Sequence, residues 1–350
     1  MTAPTLAELH LKTYSQIGAI EAGLWDQLGS DQGFQSYRWY AYAEKVMADC
    51  APHYILIFNN NELVARAAFY LVRSEPLPIE PEFIRAITQA AFRRWPLFIC
   101  RTPLAGLSGL ALGNEAIRPA ALNLIGAAAL AEANARQTSF VFFDFVEEAL
   151  RNTPGWPSQF RAMQINEPGT FLALEWPDFD SYLAALGKEE RYHYRRIQRK
   201  AQELGITVSR CNRVAAVEEA LALIRNVERK HSASPVPWTQ AMLEHLTLAD
   251  GTWLEARIGQ RLVGCGLSLR DNGAQINTAL GLAEEVPYVY FALLYESLRV
   301  AFEHKVRIAR LGSGAYDVKR RLGFQTEDNN YVMAASANPW LQKLVDRMAK

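Results

Sequence analysis

The sequence predicts an α/β protein with mixed α+β sheets in two related domains. Three observations carry that prediction. One order of elements occurs twice, a long basic helix separates the two occurrences, and the chain has 350 residues. At roughly 100–200 residues per domain, such a length suits two domains. In the first occurrence Ser36–Met47 reads as a helix ahead of a hairpin. The hairpin follows from a β-branched and aromatic run over Tyr54–Phe58, the turn-forming Asn59-Asn60-Asn61, and a second apolar run over Leu63–Tyr70. A helix over Ala120–Arg136 comes next, with Pro119 at its start, where a missing N–H costs nothing. Phe140–Phe145 is then a buried-strand run.

The second occurrence repeats this order. Val217–Lys230 is helical, Trp253–Ile258 and Leu262–Leu269 form a hairpin around Gly259-Gln260, Val289–His304 is helical, and Val306–Leu311 is a strand. Leu63-Val64 and Leu262-Val263 stand in matching places just after each turn. Two occurrences are too few for a solenoid.

Between them an amphipathic helix runs from about Tyr182 to Leu204, with Asp180 or Ser181 as cap, a break allowed at Gly187 and a stop at Gly205. Pro154, Pro157, Pro168 and Pro177 place the domain boundary between about Asn152 and Pro177. Glu75–Pro103 opens on Pro76, Pro78 and Pro81 and is expected to be an irregular insertion. From Asn338, Trp340, Leu341, Leu344 and Val345 at helical spacing predict a terminal helix docked on the body.

Composition excludes several classes. Half the residues are hydrophobic, which is ample for packed cores and excludes global disorder. Lys+Arg and Asp+Glu both number 37, so a uniformly basic nucleic-acid coat is excluded while a local basic patch is not. Cys50, Cys100, Cys211 and Cys265 are far apart, which indicates neither a disulfide scaffold nor a zinc knuckle. Met1–Tyr14 carries Glu8, His10 and Lys12 rather than a basic stretch followed by an apolar core. The most apolar stretch, Ala120–Ala135, is interrupted by Asn123, Glu132 and Asn134, short of the run of about 18 that a membrane span needs. A soluble, cytoplasmic protein with no membrane span is the expectation.

Two segments are distinctive. One runs Leu186-Gly187-Lys188-Glu189-Glu190-Arg191-Tyr192-His193-Tyr194-Arg195-Arg196-Ile197-Gln198-Arg199-Lys200 and ends at Glu203-Leu204-Gly205-Ile206. The other is Gly312-Ser313-Gly314-Ala315-Tyr316-Asp317-Val318-Lys319-Arg320-Arg321-Leu322-Gly323-Phe324. With the weaker Phe34-Gln35-Ser36-Tyr37-Arg38-Trp39, they resemble the FemAB-like branch of the GNAT-fold acyltransferases, over about Phe34 to Phe324. That branch includes peptidoglycan-bridge aminoacyltransferases and acyltransferases of cellulose and exopolysaccharide biosynthesis. The resemblance implies tandem GNAT-like domains joined by the long basic helix. Residues 1–170 would form the first, degenerate or acceptor-holding; 171–335 the second, with the acyl-transfer site; 336–350 a C-terminal helix.

In the basic helix, Arg191, Arg195 and Arg199 are spaced i, i+4, i+8 and share one face, with Arg196 and Lys200 beside it. Such a row is often only solvated surface. Guanidinium forks also suit phosphate, each donating two parallel hydrogen bonds. The ligand could then be a nucleotide-linked acceptor, a pantetheine donor's phosphates or the acceptor end of a tRNA. The resemblance implies that Arg191 lies near a nucleotide diphosphate. Gly312 and Gly314 follow a strand and allow close backbone approach to a ligand. If Lys319 points into a cleft it could stabilise the oxyanion of a tetrahedral intermediate, and Tyr316 could donate or relay a proton to the leaving group. The bland alternative is a basic surface turn over a packed aromatic. Tyr288, Tyr290 and Tyr295 could wall an acyl or acceptor chain, although ordinary core is the commoner role.

GNAT domains that use acetyl-CoA carry a Gly-x-Gly/Ala loop whose amides cradle pyrophosphate at a helix N-terminus. The matching place here, Gly281–Tyr288, holds Glu284 and Glu285 and no Gly-x-Gly. That departure favours aminoacyl-tRNA or an acyl-carrier protein as co-substrate, or an acyl-CoA held differently, with no tightly bound cofactor expected. His193 and the His231, Ser232 and Ser234 cluster form no nucleophile motif, there is no Gly-x-Ser-x-Gly elbow, and the histidines have no metal spacing. Asp144 and Glu147-Glu148 at a strand end could deprotonate an amine, with structural capping the commoner role. The expected activity is N-acyl transfer by direct attack of an amine on a thioester or aminoacyl ester. The acceptor could be a cell-wall precursor, polysaccharide amine, peptide or small metabolite. A non-catalytic binding or assembly protein that has lost the donor loop is the alternative.

Overall fold

The computed structural model describes residues 9–75, 82–164, 167–231 and 234–349. Pro76, Pro78, Pro81 and Ser232, named above, lie outside the described residues. In chain order the first half gives β1 (Leu9–Tyr14), α1 (Ala22–Trp25), α2 (Tyr37–Val46), β2 (Ala51–Asn59), β3 (Glu62–Val72), α3 (Glu82–Arg94), β4 (Leu97–Cys100), β5 (Leu110–Leu112), α4 (Arg118–Ala135), β6 (Phe140–Val146), α5 (Glu148–Arg151) and β7 (Arg161–Gln164). The second gives β8 (Thr170–Ala173), α6 (Phe179–Ala185), α7 (Lys188–Glu203), β9 (Ile206–Cys211), α8 (Val217–Lys230), α9 (Thr239–Glu244), β10 (Thr252–Ile258), β11 (Arg261–Asp271), β12 (Ala274–Leu282), α10 (Val289–Glu303), β13 (Ile308–Leu311), α11 (Tyr316–Arg321) and β14 (Gln325–Thr326). The chain ends with β15 (Tyr331–Ala335) and α12 (Pro339–Met348).

The chain divides into two compact units. One holds the described residues up to Glu167 together with those from Asp328 onward; the other holds Pro168–Glu327. The first sheet has the order β1-β2-β3-β4-β6-β15-β7, with β5 beside β3, and the second has β14-β8-β13-β12-β11-β10-β9. Read from opposite ends, the two orders correspond strand for strand. Each sheet contains one parallel pair, β4 with β6 and β12 with β13.

The echo extends to a single residue. In the first hairpin the register shifts between Ile57 and Phe58, leaving Val64 as the extra residue between Ala65 and Leu63. In the second it shifts between Ala256 and Arg257, leaving Val263 between Gly264 and Leu262. The paired Leu-Val dipeptides are therefore matching β-bulges, which bend a strand and sharpen its twist.

Each sheet buries a helix for a local reason. α4 presents Ala121, Ile125, Ala129 and Ala133 at a spacing of four, and this row packs into the core with Ile55, Ile57, Ala67 and Phe143. In the second unit α10 approaches β11 closely because Gly264 carries no side chain. A Cβ there would lie 2.2 Å from Val289 Cγ1. Gly264→Ala is expected to lower the stability of this unit by about 1–3 kcal/mol through overpacking, measured by chemical denaturation.

The Phe34–Trp39 segment proves to be an internal brace of the first unit. Ser36 caps α2, accepting from the Trp39 N–H. Gln35 donates to Thr102 Oγ1 (2.6 Å) and the Ser108 carbonyl (2.8 Å), and its own oxygen accepts from Arg66 Nη1 (3.1 Å). Arg66 is fully buried and lies over the Trp25 ring at 4.0 Å.

Several expectations are corrected. Glu75–Pro103 is not irregular throughout, since it contains α3 and β4. The long central helix is two helices broken at Gly187, and α6 is capped by Asp178, whose side chain accepts from the Ser181 N–H. Tyr331–Ala335, expected in the second domain, inserts between β6 and β7 of the first sheet, and its Met333, Ala334 and Ala335 are buried there. In exchange Thr170–Ala173 pairs with β13 and β14 in the second sheet. β12 is absent from the predicted elements because Gln275, Asn277 and Thr278 interrupt its apolar pattern.

Candidate active site

The candidate site lies in the second unit, where the pairing of the parallel strands ends. β12 and β13 are in register from Ala274 with Ile308 to Asn277 with Leu311, and no further. β12 runs on to Leu282, paired on its other side to β11. Its ladder with β11 is irregular between Cys265 and Leu267, and Ala279 takes a φ of 50°. The irregularity bends β12 where it leaves β13. Residues Ile276 to Leu280 are half-buried, which is unusual for an inner strand.

Beyond β13 the chain turns through Gly312, Ser313 and Gly314. Open space surrounds the Cβ positions of Gly312 and Gly314, and Gly314 takes a φ of +81°. Close backbone approach by a ligand is therefore geometrically allowed, as the sequence indicated.

Lys319 holds this turn from behind. It is only 5% exposed, on the short helix α11. Its Nζ donates to the carbonyls of Gly312 and, at 3.3 Å, Ser313. Thr170 Oγ1 donates to the Leu311 and Gly312 carbonyls at 3.2 and 3.4 Å. An ammonium has three N–H donors, and these two carbonyls take two of them. Burial lowers the Lys319 pKa to about 8, and nearby Glu327 pulls it upward. Glu327 itself meets Arg310 in a buried two-pronged ion pair, with Nε–Oε1 2.6 Å and Nη2–Oε2 2.5 Å.

The other face of α11 lines a pocket of about 590 Å³ together with α7 and α10. Val318, Arg321 and Leu322 face Lys188, His193, Arg195 and Arg196, with Phe291 and Tyr295 as apolar wall. Four cations surround this pocket, against Glu189 and Glu190. His193 lies edge-on to Phe291 at 4.8 Å, and its pKa is lowered by burial and by Arg196 and Arg321. Such a pocket suits a phosphate carried on an organic group.

The comparisons with known proteins can be set against this geometry. A family model, FemAB_like, described as peptidoglycan biosynthesis/recognition, matches residues 16–350. The chain belongs to the FemAB-like family. A search of curated proteins finds no sequence match. Among solved structures, FemX is similar over 95% of this chain and 100% of its own, with a TM-score of 0.65 at 11% identity. A tandem GNAT protein from the clavulanic acid biosynthesis pathway covers 95% and 99%, with a TM-score of 0.58 at 13% identity. The C-terminal domain of a putative lysylphosphatidylglycerol synthetase from Agrobacterium fabrum covers 93% of each chain, with a TM-score of 0.52 at 9% identity. The fold is a tandem GNAT fold, and family and fold together are those of acyl- and aminoacyltransferases.

Within this FemAB-like protein the expected residues do not all come together. Arg195 and Arg196 line the pocket. Arg191 instead donates to the Ala184 and Leu186 carbonyls, closing the end of α6, because terminal carbonyls of a helix lack intrahelical partners. Arg199 sits against Glu203 at 3.7 Å. The Tyr316 hydroxyl donates to the Pro168 carbonyl at 2.8 Å, so its proton is committed to the fold rather than to a leaving group. Tyr288 precedes α10 with a φ of 69°, and Tyr290 stacks edge-on against Phe291; both are packed on the core and neither lines the pocket. The 283–288 segment is acidic as expected, with Glu285 paired to the exposed Arg261.

The first unit closes the place that the second leaves open. Where the pairing of β4 with β6 ends at Cys100 and Phe143, the next residues, Arg101 and Asp144, meet at 3.5 Å, and Glu75 accepts from the same guanidinium at 2.8 Å. Burial pushes the Asp144 carboxyl up to about 7 against the pull of Arg101. Loop 101–109 also separates β4 from β5, while the matching β12 is continuous. Sequence reasoning missed Glu327, Arg310 and Thr170. Arg310 and Thr170 show only a charge or hydroxyl in an otherwise apolar strand, and Glu327 only a charge just past β14, which does not name its partner.

Proposed function

We propose that the second unit transfers an acyl or aminoacyl group to an amine by direct attack. The single observation that carries this is the parted β12–β13 end with a buried ammonium, Lys319, held against the turn that faces it. The extended arm of an activated donor would run along the free edge of β12 beyond Asn277 and pair with its backbone. The amine nitrogen would bond to the carbonyl carbon, and negative charge would collect on the carbonyl oxygen. The remaining N–H of Lys319 is the donor aimed at that charge, and it acts in a site of low polarity. Collapse expels the thiolate or ribose oxygen, which leaves with the amine's proton.

Two features bear on the donor class. Glu284 and Glu285 stand where a free coenzyme's pyrophosphate would sit, while cations gather at the 590 Å³ pocket. This favours aminoacyl-tRNA or a carrier-protein thioester over free acyl-CoA, with Arg195, Arg196 and Arg321 contacting phosphate. The amine acceptor stays at the level of class, from cell-wall precursor to small metabolite. An assay across acyl-CoA, acyl-carrier and aminoacyl-tRNA donors tests the reading. Arg195→Ala combined with Arg196→Ala is expected to raise the KM of the phosphate-bearing substrate about tenfold or more with little change in kcat. Ligand binding without turnover across all three donor classes would establish the non-catalytic alternative that the acidic 283–288 segment also permits.

A further inference from the structure

The first unit carries a surface that acyl transfer does not use. α3 turns its apolar side outward. Phe83 and Ile87 are 63% and 65% exposed and Ile84 is exposed with them, while Thr88 and Gln89 are more covered. Trp95, just past its end, is 51% exposed. α12 does the same by a different pattern. Its inner side needs only Leu341 and Val345, yet Trp340, Leu344 and Met348 form an outer row at i, i+4, i+8. Folding does not require that row.

Both helices reach one end of the first sheet, where β4 and β6 begin and β15 finishes. A chain of hydrogen bonds ties them there. Ser139 Oγ donates to the Trp95 carbonyl (3.0 Å), Ser336 Oγ donates to the Ser139 carbonyl (2.7 Å), and the Ser336 N–H donates to Gln342 Oε1 in α12 (2.8 Å). Each exposed tryptophan carries a cation over its ring, Arg94 at 5.7 Å from Trp95 and Lys343 at 4.8 Å from Trp340. Arg93 and Arg347 are exposed on the same two helices, and the carboxylate of α12, Asp346, is engaged by Arg161 at 2.9 Å.

We propose that this end of the first unit binds the surface of an anionic lipid bilayer. Tryptophan suits the boundary between headgroups and hydrocarbon, with aliphatic side chains below it and cations at the phosphates. Charge decides between occupants. A symmetric pairing of two copies through this face would set its cations against like charges, whereas an anionic surface complements them. No helix among the described residues is long and apolar enough to cross a membrane, so the contact is peripheral.

The test is co-sedimentation of the full chain with phosphatidylcholine vesicles, with and without roughly one-third phosphatidylglycerol, with tryptophan emission recorded alongside. Binding and a blue shift are expected only with the anionic lipid and are expected to weaken as salt rises. Trp95→Ser with Trp340→Ser, and Arg94→Glu with Lys343→Glu, should each weaken binding roughly tenfold or more while thermal melting is unchanged, because these side chains are exposed. Failure to bind the anionic vesicles, equal binding to both vesicle types, or full binding by both double variants would overturn the proposal. So would a dimer in solution that the same variants abolish, which would assign the face to a second copy.

Discussion

Lys319→Met is expected to cut kcat by about 10²–10³-fold while the protein remains folded, which is the range typical for removing one donor to a developing oxyanion. Methionine keeps most of the side-chain volume and removes the charge. The Gly312 carbonyl keeps its bond from Thr170, so the turn is not released entirely. Thermal melting of the variant checks the fold, and steady-state kinetics with the active donor class checks the role. Unchanged kcat would remove Lys319 from the chemistry. The pH profile gives a second, independent signature. With a pKa of about 8, the ammonium is lost as pH rises through that value, so rate falls on the alkaline side. Deprotonation of the attacking amine raises rate with pH, and the product is a bell. Lys319→Arg keeps the charge at every accessible pH, and its residual activity should lack the limb near 8. Folding carries the matching sign. The folded pKa lies below that of an unfolded lysine, so the unfolded chain holds the proton more tightly above about pH 8. Stability attributable to this group therefore rises with pH between about 8 and the ordinary lysine range, and Lys319→Met should flatten that rise.

Much of this was legible in the sequence, and its gaps have physical causes. The two hairpins, α4, α8 and α10 are long periodic segments with clear turn or cap residues, so local chemistry specifies them. The tandem arrangement follows from their repeated order. The strand exchange is different in kind. Nothing local in Thr170–Ala173 or Tyr331–Ala335 tells which sheet each joins, because both are short apolar strands whose partners lie far away in sequence. At the candidate site, the sequence singled out the glycine turn and the lysine, and two of the neighbours it named have backbone partners instead. Arg191 and Tyr316 look available as bare residue types, yet each is drawn to a backbone carbonyl that the chain's own turns leave without a partner. Of the arginine row, Arg195 and the flanking Arg196 escape this fate and line the pocket, whereas Arg199 is drawn to Glu203.

The largest stability effect is expected at Glu327. Its carboxylate and the Arg310 guanidinium are each less than 10% exposed, with side-chain values of 9% and 8%, and Gly169 leaves the space they need, since a Cβ there would lie 2.5 Å from Glu327 Oε2. Glu327→Gln keeps the shape and removes the carboxylate charge that the buried guanidinium is paired with. Breaking such a pair costs about 3–5 kcal/mol, which in a unit of this size lowers the melting temperature by roughly 6–20 °C. The same carboxylate raises the Lys319 pKa, so its removal should also move the alkaline limb of the rate profile below 8. Replacing both partners, Arg310→Met with Glu327→Leu, separates the two effects. Desolvation of two charges is then avoided, so most of the lost stability should return. The displaced alkaline limb should not return, because no carboxylate faces the ammonium. Recovery of melting temperature together with a limb still near 8 would show that Glu327 braces the fold without tuning Lys319.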